Sequence, residues 1–409
     1  MLKRIATEQL KVGMYVHEFC GSWMDHPFWR AKFALSDEAD LRRIHSSSIR
    51  EVWINTAKGL DVEGGVSAAH ARAEVERELE FAASQPMVWL QNPSSLVEEI
   101  HRAKAICRKS KAAVTSLFSE ARLGKALDVD ECLPLVEEIS DSVLRNPAAL
   151  ISVARLKSRD EYTYMHSVAV CALMVALGRN LGLDAELLRE AGLAGMLHDV
   201  GKTQVPLSVL NKPGKLTDEE FGLMKSHPER GHELLGHTKI LPATVLDVCL
   251  HHHERVDGGG YPHRLKGDQI SLLAKMGAVC DVYDAVTSNR PYKAGWDPGE
   301  SLRQMAQWKG HFDPVVFQAF VKTVGIYPTG SLVRLKSGRL AVVIEQNPQA
   351  LLTPKVKVFF STKSNQRIPP EEINLGGPWV QDKIVACESP SDWPFTDLEL
   401  LWGGDSQRR

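Results

Sequence analysis

Apolar positions change their spacing three times along this chain, and each change predicts a different kind of element. From residue 1 to 66 the apolar runs are short and strand-like, "GMYVHEF" and "EVWINTA", divided by the turn-rich "GSWMDHPFWR" and "KGLDVEGG". This predicts a small strand-containing N-terminal domain. From 67 to 145, Ile100, Ala103, Cys107, Val114, Leu117, Phe118 and Ala121 recur near helical spacing. That segment is read as a helical connector whose apolar stripe also offers a surface for a homodimer. Helical spacing continues from 146 to 325. Alternation then returns in "GSLVRLKSGRLAVVIEQN" and "PKVKVFFS", which predicts a hairpin turning at Ser337-Gly338 and a C-terminal β extension over 326–385. The tail, 386–409, shows no period and is assigned no element. The fold expected is mainly α, a helical bundle flanked by two small strand-bearing modules.

Composition narrows the function classes. The 409 residues are 44% hydrophobic and 24% charged, as in soluble multi-domain proteins, and no run of about 18 apolar residues exists to span a bilayer. Glu8 and Lys11 interrupt the start "MLKRIATEQLKVGM", which therefore lacks the apolar stretch of a secretory signal and predicts a cytoplasmic protein. Seven scattered cysteines without a C-x-x-C pair suggest reduced thiols rather than a disulfide frame or a zinc knuckle. A net charge of -2 gives no general pull on a nucleic acid polymer, so an anionic ligand must be held by local cations or metals.

The candidate chemistry lies in the long helical stretch. In "AGLAGMLHDVGKTQVP" an apolar run ends in His198-Asp199, with Gly201 read as a helix stop and Lys202 just beyond. A lone His-Asp step is more often structural, but this one has company: His166 in "YTYMHSVAV", His227 in "KSHPERG", His252 and His253 in "LHHHERVDGGGYP", and Asp281 in "AVCDVYDAV". Five imidazoles with two carboxylates suit a first-row transition metal rather than calcium or magnesium, which prefer oxygen cages. Neighbouring helix residues point about 100° apart, so His198 and Asp199 do not clasp one ion from one face. Asp199 can bridge two ions through its two oxygens.

Over residues 160–295 the strings "LHDVGK", "LNKPGKLTDEE", "SHPERG", "HHERVDGGGYP" and "DVYDAVTSNRPYK" resemble the HD-GYP family of cyclic di-GMP phosphodiesterases, a branch of the HD superfamily of metal-dependent phosphohydrolases. The flanks "LKVGMYV" and "YPTGSLVRL" resemble a subgroup with a small N-terminal domain of unassigned function. The resemblance implies a helical fold with a two- or three-metal site, maps the ligands onto His166, His198, Asp199, His227, His252, His253 and Asp281, and places Lys202 near the reacting phosphate. Some members carry a third-metal glutamate one turn before the first histidine. Tyr162 stands there in this chain, with Glu161 beside it, so two transition-metal ions per chain are expected, iron or manganese ahead of zinc or nickel. Arg264 also stands where a glycine is expected.

The roles follow from phosphodiester chemistry. Two metals about 3.5 to 4 Å apart bring the pKa of a bridging water to about 7 and polarise the phosphate oxygens. Asp199 would hold their spacing, and Lys202 would offset transition-state charge. Arg290 and Lys293 in "NRPYK" are the anion-binding pair. Asp284, one turn after Asp281, is grouped with the substrate site, either supporting a metal or orienting Arg290. Gly258, Gly259 and Gly260 free a loop to close over a flat ligand, with Gly260 and Tyr261 as contacts. His251 is surplus, and His263 is read as an ordinary histidine. The activity expected is hydrolysis of cyclic di-GMP to pGpG, with either pGpG or GMP as the final product. The alternatives are a cyclic di-GMP receptor with little turnover and an HD phosphohydrolase acting on another nucleotide. Other signalling proteins are expected partners at the GYP loop.

Overall fold

Strand pairing begins at Leu2. The strands β1 (Leu2–Ala6), β2 (Tyr15–Cys20), β3 (Phe33–Ala34), β4 (Glu51–Asn55) and β5 (Val66–Ser67) form an antiparallel sheet in the order β3-β2-β4-β1-β5. Alternation located β2 and β4 but not β1, because the run Leu-Lys-Arg-Ile-Ala buries an arginine. Arg4 is 5% exposed and lies 3.6 Å from both Glu51 and Glu74. The helix α1 (Glu38–His45) starts where the Asp37 side chain accepts the Ala39 N–H, and it adds Leu41 and Ile44 to the sheet's core of Val16, Val52 and Ile54. The computed structural model describes all residues except 22–31, 48, 85–93, 126, 156–161, 213, 215, 239, 240, 289–294, 348 and 403–409. Among the described residues no helix is long and apolar enough to cross a membrane.

The chain divides into two units. The first holds Met1–Phe81 and Arg303–His311, and the second holds Ala82–Leu302 and Phe312–Arg409. After α2 (Ala68–Ser84) the second unit is built on α3 (Leu96–Arg122), α4 (Leu133–Arg145), α5 (Pro147–Arg155), α6 (Tyr162–Asn180), α7 (Ala185–Leu197), α8 (Leu207–Leu210), α9 (Asp218–Lys225), α10 (His227–Gly236), α11 (Ala243–His251) and α12 (Leu272–Thr287). It continues through α13 (Pro298–Gln307), whose residues from Arg303 belong to the first unit, and α14 (Pro314–Val324). The helix α6 is central because it is apolar all round: Val168 to Leu177 is an unbroken apolar run, every residue of it buried, and α6 packs against α3, α4, α5, α7, α12 and α14. The stripe of α3 lies against α4, α5 and α6 of the same chain. The apolar surface from which a homodimer was expected is therefore already covered.

The second antiparallel sheet comprises β6 (Leu332–Leu335), β7 (Arg339–Glu345), β8 (Lys355–Ser361), β9 (Gln366–Asn374) and β10 (Ile384–Cys387), in the order β10-β6-β7-β8-β9. The β6–β7 reversal uses Ser337-Gly338, with Gly338 at φ +83°. The tail, expected to carry no element, contributes the end of β10 and then α15 (Leu398–Trp402). Aromatic packing holds it: Trp393 stacks on Phe395, and both meet Phe360 edge-on. Such contacts leave no period in the sequence.

One buried carboxylate ties α3 to α4. Glu99 is fully buried and accepts from Arg145 Nε and Nη2 at 2.9 Å, Ser142 Oγ at 2.8 Å, Ser94 Oγ at 2.9 Å and Arg102 at 3.0 Å. Burial alone would raise its pKa, but these donors hold it down at about 2, below the ordinary 4.5. Because the folded-state value is depressed, the contribution to stability is complete above about pH 4.5 and is lost as pH falls toward 2. Glu99→Gln is expected to cost about 1–3 kcal/mol at pH 7 by leaving buried donors unpaired. In urea melts its deficit relative to wild type should shrink between pH 4.5 and 3; a deficit that does not change with pH would contradict this.

Candidate metal centre

Five helices bring the clustered histidines and aspartates together. His166 lies early in α6, His198 caps α7, Asp199 opens the 3₁₀ turn Val200–Gln204, His227 opens α10, His252 and His253 follow α11, and Asp281 sits within α12. All but His253 are buried. Gly201, expected to stop a helix, does something else. A Cβ there would lie 1.9 Å from the His227 carbonyl oxygen and 2.5 Å from the Gly231 nitrogen. The glycine lets the turn after Asp199 press backbone-to-backbone on α10, which carries His227. Arg122 of α3 reaches the carbonyls of Lys202 and Val205 at 3.5 and 3.4 Å, and Gln204 donates to the Ala121 carbonyl at 3.2 Å, so α3 braces the same turn.

Hydrogen bonds fix which ring nitrogens carry lone pairs. The Nδ1 atoms of His198, His227 and His252 lie 2.8, 2.8 and 3.0 Å from the carbonyl oxygens of Gly195, Met224 and Val248, and that of His252 also 3.0 Å from Cys249. A carbonyl only accepts, so each Nδ1 donates and each Nε2 presents a lone pair. His166 is set the same way by Asp284, whose Oδ2 lies 2.6 Å from its Nδ1.

These lone pairs converge on carboxylate oxygens. Asp199 Oδ2 lies 3.4 Å from His198 Nε2 and 3.5 Å from His166 Nε2, while its Oδ1 lies 3.3 Å from His227 Nε2 and 3.9 Å from His252 Nε2. Asp281 also reaches both ways, with Oδ1 2.9 Å from His166 Nε2 and Oδ2 3.7 Å from His253 Nδ1. Two groups result, His166/His198/Asp199 and His227/His252/His253, the donor atoms of each lying within 4.8 Å of one another. Asp199 faces both. Among the described residues the buried His198 Nε2 and Asp199 Oδ1 have no hydrogen-bond partner, and His227 Nε2 faces His252 Nε2 at 3.3 Å. Acceptors opposed in this way are stable only around a cation. The mixed imidazole and carboxylate donors therefore fit transition-metal ions.

Titration behaviour agrees with the geometry. Burial, with His198 and His227 nearby, lowers His252 to about 3, and burial likewise holds His253 well below and His227 below the ordinary imidazole value. All three are free bases at neutral pH. Burial would also lower His198, but Asp199 and Asp281 raise it to about 10, so its Nε2 calls for a proton or a metal. Burial would raise Asp199, yet Lys202 and His198 keep it well below the usual carboxylate range. Lys202 Nζ stands 2.5 Å from Asp199 Oδ2 with its side chain 22% exposed.

Other expected site residues are placed differently. Asp284, grouped with the substrate contacts, is 3% exposed behind His166 and also accepts from Ser288 Oγ. Gly260, expected to touch ligand, is buried: a Cβ there would meet the Arg255 nitrogen and Glu254 Cα at 2.5 Å. It serves the loop's return onto its own backbone, closed by the Tyr261 N–H to the His253 carbonyl at 3.2 Å. Tyr261 stacks on His253, ring centres 4.7 Å apart. His251 joins Asp247 through Nδ1 at 2.7 Å and His263 through Nε2 at 3.0 Å, so neither His251 nor His263 is incidental. Arg264 adopts φ +55°, the left-handed region in which a glycine was expected. Arg290, Lys293, Glu161 and the Tyr162 side chain lie outside the described residues. The sequence reading missed Glu254, a buried carboxylate that accepts the His263 and Leu265 N–H groups at 2.7 and 3.0 Å. Its adjacency to His253 was the available signal.

Comparison with known proteins adds an independent line. A family described as an HD domain matches residues 146–316, and a domain of unknown function (DUF3391) matches residues 2–132. The chain is 56% identical over 411 residues to the cyclic di-GMP phosphodiesterase PA4108 of Pseudomonas aeruginosa, covering 99% of this chain and 96% of that protein. It is 34% identical to the cyclic di-GMP phosphodiesterase response regulator RpfG of Xanthomonas campestris pv. campestris, over 56% of this chain and 60% of that one. It is 37% identical to a cyclic di-GMP phosphodiesterase of Thermotoga maritima, over 40% and 45%.

Gly201→Ala should push α10 and His227 away from Asp199. Loaded with manganese and analysed by mass spectrometry, the variant is expected to retain less than half the metal of wild type while its circular dichroism stays helical. Full metal retention would show that the close approach is dispensable.

Proposed function

The chain belongs to the HD-GYP family of cyclic di-GMP phosphodiesterases, and from that premise we propose that it hydrolyses cyclic di-GMP to pGpG and onward to GMP at two metal ions per chain. The observation that carries this reading is Asp199, one oxygen facing His166 and His198 and the other facing His227 and His252. In it, His166, His198, Asp199 and Asp281 hold one ion and Asp199, His227, His252 and His253 the other, iron or manganese ahead of zinc or nickel. When bound, such ions supply Lewis acidity and an acidified water at neutral pH. The protein's own part is to keep four imidazoles in the metal-binding tautomer, to exclude bulk water by burial, and to set Lys202 beside Asp199 where charge develops on the phosphate. Arg290 and Lys293 are proposed to bind substrate phosphate, and Tyr261 to hold the His253 ring at the substrate's edge.

The reading includes a division into a strand-bearing module at 1–66, a helical connector at 67–145, the HD-GYP domain at 146–325, a β extension at 326–385 and a tail at 386–409. It places the protein in the cytoplasm, supported by seven cysteines all present as free thiols. Signalling proteins docking at the GYP loop belong to it as well. Pairing of chains through 67–145 does not, since the α3 stripe is covered within the chain.

Purified protein loaded with manganese or iron and mixed with cyclic di-GMP should give pGpG and GMP on chromatography; ligand bound but left intact would make it a receptor. Asp199→Ala should lose metal and turnover together. Arg290→Ala should keep its metal and weaken substrate affinity by about one to two decades, as a charged hydrogen bond of roughly 1.5–3 kcal/mol implies at ~1.4 kcal/mol per decade. Lys202→Ala should lower kcat more than affinity, and normal turnover by this variant would remove the lysine from the mechanism.

A further inference from the structure

We infer that Gln204 is a positioning residue that sets Lys202 for the reaction by tying its turn to the end of α3, an assignment that rests on the role of Lys202 proposed above. The turn Val200–Gln204 is 3₁₀, with about three residues per turn, so side chains two places apart leave it on different sides. Lys202 reaches Asp199, its Nζ 2.5 Å from Oδ2. Gln204 reaches the other way, and its Nε2 donates to the Ala121 carbonyl at 3.2 Å. That oxygen also accepts the Gly124 N–H at 3.1 Å, so Gln204 takes its second lone pair.

Gln204 is held through its backbone as well, where its carbonyl accepts from Arg230 Nη1 of α10 at 2.6 Å. One residue thus joins the turn to both α10 and α3, and all three lie in the second unit. Arg122 adds longer contacts to the Lys202 and Val205 carbonyls. The close packing of Gly201 on Gly231 fixes the turn at one point but leaves it free to rock about that point. Ties on its far side stop the rocking, and a shift of ~1 Å in a catalytic group is enough to cost much of its effect. Ala121 and Arg122 belong to the segment matched as DUF3391, outside the HD match at 146–316. A helix of the unassigned segment thereby completes a site whose other residues belong to the HD domain.

Gln204 is exposed, so Gln204→Met, which keeps the length and loses the donor, opens no cavity. With manganese loaded, its kcat for cyclic di-GMP should fall about three- to tenfold, as the loss of one hydrogen bond implies, with KM and metal content unchanged. Gln204→Lys restores a donor and should recover most of that loss. The deciding measurement is a double-mutant cycle: because Gln204 acts through Lys202, Gln204→Met should add nothing to the kcat loss of Lys202→Ala. Losses that multiply, lowered metal content, no recovery by Gln204→Lys, or wild-type kcat in Gln204→Met would each overturn the assignment. Wild-type kcat in Lys202→Ala would remove the lysine from the mechanism and the inference with it, which separates the two failures.

Discussion

Buried lone pairs aimed at one another set the terms for this protein. His227 Nε2 against His252 Nε2, and both against Asp199 Oδ1, repel until a cation stands among them. Such an arrangement persists only if the helices carrying it cannot rotate out of register, and the bundle is built for that. The helix α6 is buried on every side from Val168 to Leu177 against six neighbouring helices, and turning it would pull His166 away from Asp281 and Asp284. The turn after Asp199 is pressed onto α10 through Gly201 and Gly231 and braced from behind by α3. Apolar burial here acts mainly as a clamp on the polar cluster.

The clustering of histidines and aspartates was legible in the sequence because such residues are rare inside apolar helical runs, and several such runs carried one. The β6–β7 hairpin was legible because alternation and Ser337-Gly338 agreed. What stayed hidden depended on contacts across long separations. β1 contains Arg4, whose partners Glu51 and Glu74 are distant in sequence. Gly201 looked like a helix stop because glycine often is one; its actual constraint is the backbone of a helix about 26 to 30 residues later. Asp284 and Gly260 lie so close to the clustered residues that spacing alone could not show that Asp284 bonds His166 or that Gly260 packs on the backbone of Glu254 and Arg255. The α3 stripe was read as a surface between chains because the helices that cover it could not be seen.

The GYP loop shows the same division of labour. Glu254, Tyr261, His251 and His263 each hold some part of the loop or of His253 in place, through two N–H groups, one ring stack and one imidazole pair. A loop rich in glycine is thereby fixed at several points, and the glycines allow close backbone return rather than looseness.

His198, His227 and His252 each orient their ring through a carbonyl three residues back along the chain, with His252 using the one before it as well. These three imidazoles are thus already aimed by nearby backbone, that of His227 by the end of the preceding helix α9. Rings fixed in this way need little rearrangement to present Nε2 to whatever occupies the space between them. In a cluster ordered this way, donor spacing rather than donor mobility would set which cation fits.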